Sequence, residues 1–258
     1  MNDMKMEEEP QKKETTAAPA TAPDNRSGAE FLISFDNVTK TYKDSSVALQ
    51  GINLDIADGE FISIVGPSGA GKSTLMKLIY AEEMPTEGEV LFNGRSISRI
   101  SRRKLPLHRR NIGTVFQDSK LLHRKTVFEN VAYALEVLGV PTEEIEEDVP
   151  QILEIVGMGH MMEKFPEQLS GGEKQKVAMA RALIHKPIVI VADEPTGNLD
   201  PVSSLEIVDL LLKINELGTT VVLASHDKDI VNKAQKRVLV MDQGKIINDY
   251  SKGKYKLI

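Results

Sequence analysis

Residues 66–74 read GPSGAGKST, and no other stretch of the chain restricts its fold as much. Gly66, Gly71, Lys72 and Ser73 fall in the pattern G-x-x-x-x-G-K-[ST], which requires a strand before it and a helix after it. FISIV (61–65) is an unbroken apolar run, which predicts a strand buried on both faces, and KSTLMKLIY (72–80) predicts the helix. Between them the loop Gly66, Pro67, Ser68, Gly69, Ala70, Gly71, Lys72, Ser73 and Thr74 can turn its backbone N–H groups inward onto a phosphate. Lys72 adds a point charge for the β- and γ-phosphates, and the Ser73 hydroxyl is placed to bind Mg²⁺. The phosphates of a nucleotide and Mg²⁺ are what such a loop is built to hold.

A nucleotide-hydrolysing site also needs an acidic residue at the end of a buried strand. IVIVADE supplies it: Asp193 emerges where it can hold the metal, and Glu194 points elsewhere and can act as general base on water. His226 ends the apolar run TTVVLAS (219–225), and ligands of open α/β sheets sit at such strand ends. This places His226 near the γ-phosphate. His108, His123, His160 and His185 have no ligand-like spacing and read as surface or packing residues.

The remaining pattern predicts an α/β chain. FLISFDNVTKTY and VALQGINLDI alternate as half-buried strands, and EVLFNG (89–94) is another strand ending at Asn93-Gly94. Residues 125–165 are mostly helical, a helix occupies about 202–217, and RVLVMDQGKII (237–247) closes as a hairpin about Asp242-Gln243-Gly244. Alternation of strand and helix in the second half implies a parallel sheet. Residues 1–30 are Thr, Ala, Pro and charge, and read as a disordered extension; 251–258 is a short basic tail. The 258 residues contain no cysteine, which excludes disulfides, thiolate metal sites and cysteine nucleophiles. A net charge of -6 argues against a general nucleic-acid binder. No apolar run approaches the roughly 20 residues needed to span a bilayer.

A second anion site stands at 168-QLSGGEKQKVAMARAL-183. Ser170, Gly171, Gly172 and Glu173 form a capping box, S-x-x-E, at a helix start, where free N–H groups and the dipole favour a phosphate. Two glycines after a cap weaken a helix, and a phosphate approaching the backbone closely would explain them.

LSGGE, the phosphate loop and IVIVADEPTGNLD together resemble the ABC-type ATPases, with matches from about Phe31 to Ile247. The resemblance implies a P-loop NTPase domain over 31–250 with a RecA-like core, an antiparallel β-subdomain and a helical signature subdomain at about 118–175. It implies a homodimer in which the signature helix of one subunit holds the ATP on the phosphate loop of the other. It assigns Tyr42 to stacking on adenine, Gln117 to sensing Mg²⁺, and Asn198-Leu199-Asp200 to communication across the dimer.

The signature and VADEPTGNLD resemble the branch that serves cell division, lipoprotein release and macrolide export. RRNIGTVFQDSKLLHRKTVFENVAYAL (109–135), with Asp118 after the glutamine, is most similar to the division members, although Ser119 departs from them. That likeness implies an FtsX-like integral membrane partner and a peripheral position on the cytoplasmic face of the cell membrane; release or export is the alternative. Two charge runs stand out beside these motifs, basic RISRRKLPLHRR (99–110) and acidic EEIEED (143–148), and solvated faces are their simplest reading. The basic run could also touch anionic lipid heads.

Overall fold

The computed structural model describes residues 31–252. The extension over 1–30 and all but the first two residues of the basic tail lie outside the described residues.

The elements are β1 (Ile33–Thr41), β2 (Val47–Ile56), β3 (Phe61–Val65), α1 (Lys72–Ile79), β4 (Glu87–Phe92), β5 (Arg95–Ser96), α2 (Leu105–Arg109), β6 (Ile112–Phe116), α3 (Val127–Glu136), α4 (Thr142–Ile155), α5 (Gly171–Leu183), β7 (Val189–Asp193), α6 (Pro201–Glu216), β8 (Thr220–Ala224), α7 (Lys228–Ala234), β9 (Arg237–Asp242) and β10 (Lys245–Tyr250). They build two sheets, a four-stranded one ordered β2-β1-β4-β5 and a six-stranded one ordered β10-β9-β3-β8-β7-β6. The first is antiparallel. In the second, β9, β3, β8, β7 and β6 run parallel, and β10 pairs antiparallel with β9.

Alternation along the parallel strands divides the core. Ile62, Ile64, Val189, Val191, Val222 and Ala224 face α1 and the antiparallel sheet, where they meet Leu75, Leu78, Ile33 and Leu49. Phe61, Ile190, Ala192, Val221 and Leu223 face the opposite way, onto side chains of α3, α5 and α6 such as Val131, Val177 and Ile207. A strand buried on both faces must be apolar at every position, which is why FISIV lacks alternation. Each buried Val, Leu, Ile or Phe side chain contributes about 1.5–3 kcal/mol by leaving water.

The structure adds elements that the pattern does not disclose. IGTVF is β6, the edge strand of the parallel sheet, where the sequence shows no strand-length apolar run. Its Gly113 lets α5 approach, because a Cβ there would stand 2.5 Å from Ala182 O. Helix α7 is short and capped by Asp227, whose Oδ1 accepts from Asp229 N at 2.8 Å. The closing hairpin runs to Tyr250, three residues past the expected end at Ile247. Helix α5 runs to Leu183 from the helix start expected at Ser170.

Candidate nucleotide site

Four parallel strands, β3, β8, β7 and β6, deliver their carboxyl ends to one edge of the sheet. Val65, Ala224, Asp193 and Phe116 are their last residues. The phosphate loop, Ser225-His226, Asp193-Glu194 and Gln117 follow directly.

The loop closes onto α1 through Gly71, which caps the helix at φ 100. A side chain there would meet Ala48 O at 2.5 Å, so both the left-handed backbone and the space demand glycine. Lys72 is buried, and its Nζ donates to Gly66 O at 2.8 Å and Pro67 O at 3.2 Å. An open cleft of about 640 Å³ is walled by Ala48, residues 67–74, Gln117, Glu194 and His226.

Glu194 has φ +51, a conformation that a non-glycine residue adopts at a cost of order 1–3 kcal/mol. Its N–H bonds Ala224 O at 3.0 Å, which ties the turn to the end of β8. The carboxylate then lies between Lys72 and His226. Oε1 is 3.6 Å from Lys72 Nζ, and Oε2 is 2.6 Å from His226 Nδ1.

Asp193 has a different environment. Burial pushes its carboxyl up, a hydrogen bond with Ser73 pulls the other way, and the charge of Glu194 adds to the rise. Its Oδ1 is buried without a hydrogen-bond partner. An orphaned carboxylate oxygen next to a serine hydroxyl fits a hard divalent cation, which takes its other ligands from phosphate and water. No cluster of three His, Asp or Glu side chains competes for a metal among the described residues.

Gln117 donates from Nε2 to Asn198 Oδ1 at 3.1 Å. Two residues of α5, which carry no sequence signal of a site, hold the segment around it. Gln175 Nε2 donates to Phe116 O at 2.8 Å, and Arg181 donates to Ser119 O at 2.8 Å and Lys120 O at 2.9 Å. Tyr42 stands beside α1, with its hydroxyl 3.3 Å from Thr74 Oγ1 and Lys40 Nζ 5.2 Å from its ring centre. Ala48, on β2, supplies an apolar wall of the cleft, and strand alternation gives no hint of that role.

The second anion site is not part of this cleft. Ser170 caps α5 as expected: its Oγ accepts from Glu173 N at 3.3 Å, while Glu173 Oε2 accepts from Ser170 N and Oγ, both at 2.8 Å. The Ser170 N–H and then its hydroxyl hold the Glu173 carboxyl below its usual range. Gly172 is crowded from inside the chain. A Cβ on Gly172 would stand 2.7 Å from Ser203 Oγ and 2.9 Å from Ser203 Cβ, and one on Gly171 would stand 3.2 Å from Leu199 Cδ2. Packing of α5 against the start of α6 is thus a second cause for Gly172, whereas at Gly171 the neighbour is the far end of a leucine side chain. Asp200 caps α6 by accepting from Val202 N and Ser203 N, each at 3.0 Å, and from Ser203 Oγ at 2.6 Å.

Comparison with known proteins points one way. A family described as "ABC transporter" matches residues 49–197. The cell division ATP-binding protein FtsE of Bacillus subtilis is 50% identical over 224 residues, covering 87% of this chain and 98% of that protein. CbiO1 of Clostridium perfringens, part of the ABC transporter complex cbiONQ, superimposes with a TM-score of 0.80 at 35% identity, covering 86% of this chain and 89% of its own. The ATP-binding cassette MJ0796, in a dimeric post-hydrolysis state bound to ADP and Pi, superimposes with a TM-score of 0.76 at 36% identity, covering 85% and 98%.

Proposed function

The chain belongs to the ABC transporter family as an ATP-hydrolysing cassette, and on that premise we propose that it is the ATPase subunit of a cell-division complex of the FtsE type, working with an FtsX-like membrane partner. The observation that carries this is 50% identity across nearly the whole length of a division ATPase. That breadth favours division over lipoprotein release or export. Among the described residues no helix is long and apolar enough to cross a membrane, so the partner supplies the anchor at the cytoplasmic face.

The catalytic assignment follows the geometry. The phosphate loop from Gly66 to Thr74 holds the triphosphate, with Lys72 exchanging its loop carbonyls for phosphate oxygens. Ser73, Asp193 and Gln117 would hold Mg²⁺, which when bound neutralises phosphate charge. Glu194 accepts a proton of the attacking water as the water oxygen bonds to the γ-phosphorus and the bond from that phosphorus to the β–γ bridging oxygen breaks, releasing ADP and inorganic phosphate. His226 Nδ1, 2.6 Å away, fixes the carboxylate's orientation. Ser170, Gly171, Gly172 and Glu173 lie apart from the cleft of their own chain, which supports a role on the ATP of a second subunit, and Asp200, the cap of α6, is assigned to communication between the two. MJ0796 is dimeric in its post-hydrolysis state bound to ADP and Pi.

The experiment is capture from detergent-solubilised membranes with Glu194→Gln as bait in the presence of ATP and Mg²⁺. Retention of a four-span protein with one modest extracytoplasmic domain supports the division reading. Retention of a permease with a large periplasmic domain, or of a lipoprotein-release pair, replaces it.

A further inference from the structure

From Val90 to Gln117 the sequence has no acidic residue, in a chain whose net charge is -6. Folding turns this imbalance into a surface. After β5 the backbone folds back as consecutive turns: Ile100 N bonds Ile97 O, Lys104 N bonds Ser101 O, and His108 N bonds Lys104 O. The inner side of these turns is anchored. Ile97 is fully buried, and His108 is buried with Nε2 2.8 Å from Ile79 O and its ring edge-on to Phe92 at 4.8 Å. Arg109 donates to Tyr80 O and Ala81 O.

With the inner side fixed, Arg99, Arg102, Arg103, Lys104 and Arg110 are exposed. Among the described residues the ion pair formed by this group is Arg99 with Glu89, 3.5 Å apart. Leu107 stands in the same turns at 53% exposure.

We propose that this face binds the anionic lipid headgroups of a membrane surface, with Leu107 entering the boundary between headgroups and acyl chains. Long exposed cations match a layer of mobile anions, and an exposed leucine among them matches the apolar boundary beneath. Residues 95–110 carry no Phe, Tyr or Trp on which a base could stack, which disfavours a single-stranded nucleic acid. A flat bilayer touches this face alone, whereas a polyanion wrapping the chain would meet its acidic remainder.

The test uses the purified full chain without any membrane partner, so its outcome is separate from that of the division reading. Sedimentation with phosphatidylcholine vesicles is compared with vesicles containing about one third phosphatidylglycerol. Binding to the anionic vesicles alone is expected, weakening as salt rises. The triple variant Arg102→Ser, Arg103→Ser, Lys104→Ser is expected to bind about a hundredfold more weakly, since each juxtamembrane cation contributes about fivefold. Leu107→Ser is expected to weaken binding severalfold with the salt dependence intact, and ATP binding by each variant is expected to be unchanged. No vesicle binding, equal binding to neutral vesicles, or undiminished binding by the triple variant overturns the proposal. Salt-sensitive retention of an oligonucleotide without vesicle binding overturns it in favour of nucleic acid.

Discussion

His226 Nδ1 lies 2.6 Å from Glu194 Oε2, across 32 residues of sequence, while Lys72 approaches the other oxygen of the same carboxylate at 3.6 Å. Two strand ends and the phosphate loop thus converge on one side chain whose backbone is held at φ +51. A carboxylate gripped at one oxygen by an imidazole has a fixed orientation, which general-base catalysis requires.

Glu194→Gln keeps the size and the left-handed turn but removes the base. ATP turnover should fall about 10²–10⁴-fold while nucleotide binding stays within a few fold. A phosphate-release assay and a fluorescent-nucleotide titration read the two quantities. Turnover at the wild-type rate would remove Glu194 from the base role.

Burial holds the Asp193 carboxyl above its ordinary value, the Ser73 hydrogen bond partly offsetting this. Between the ordinary and raised values the folded chain keeps a proton that the unfolded chain has lost. Stability from this group therefore declines as pH rises through the raised value. Above that pH the ionised carboxylate stays partly buried with Oδ1 unpaired. Asp193→Asn should raise the melting temperature of the nucleotide-free chain near neutral pH by roughly 2–4 °C, the scale of about 1 kcal/mol in a domain of this size. The same variant should lose the Mg²⁺-dependent part of stabilisation by ATP. Melting curves over a pH series, with and without Mg²⁺ and ATP, check both signs; an unchanged nucleotide-free melting point would show that the carboxylate carries no such penalty.

Arg181 is half-buried, desolvation lowers its pKa, and it gives two hydrogen bonds to the carbonyls of Ser119 and Lys120. Arg181→Met should destabilise the chain by about 1–3 kcal/mol, because the carbonyls lose charged donors. It should also depress turnover by loosening the segment after Gln117. Urea unfolding and ATPase rates test the pair of effects together; loss of stability without loss of turnover would separate Arg181 from the site.

Gly172→Ala should cost most of the activity, since its methyl would stand 2.7 Å from Ser203 Oγ. The double variant Gly172→Ala, Ser203→Gly removes that clash and discriminates two causes. Recovery of turnover assigns Gly172 to packing between α5 and α6. Persistent loss, with the fold intact by circular dichroism, assigns it to close approach of a phosphate.

The parts of the site that were legible in sequence are those written in consecutive residues. GPSGAGKST specifies its own loop because glycine positions fix backbone angles locally, and Ser170 with Glu173 specifies its own cap. Strand β6 escaped because an edge strand of five residues with a glycine inside carries too few apolar positions to show a period. Helix α7 escaped for a similar reason, at seven residues. Gln175 and Arg181 escaped because they act on backbone carbonyls 59 to 62 residues away.

By itself, then, the sequence determined the phosphate loop, the buried strands, the acidic pair after β7 and the capped signature helix, since each is a matter of local dihedrals or of apolar spacing. The tertiary structure decided which side chains meet. The parallel register of β3, β8 and β7 sets Ile64 beside Ala224 and Ala224 beside Asp193. That alignment brings Lys72, His226 and Glu194 to one point. Helix packing likewise sets Gly172 against Ser203, a neighbour 31 residues along the chain that no local pattern could announce. Local propensity has no access to such pairs, because strand register is fixed by burial of whole faces and not by any one residue's preference.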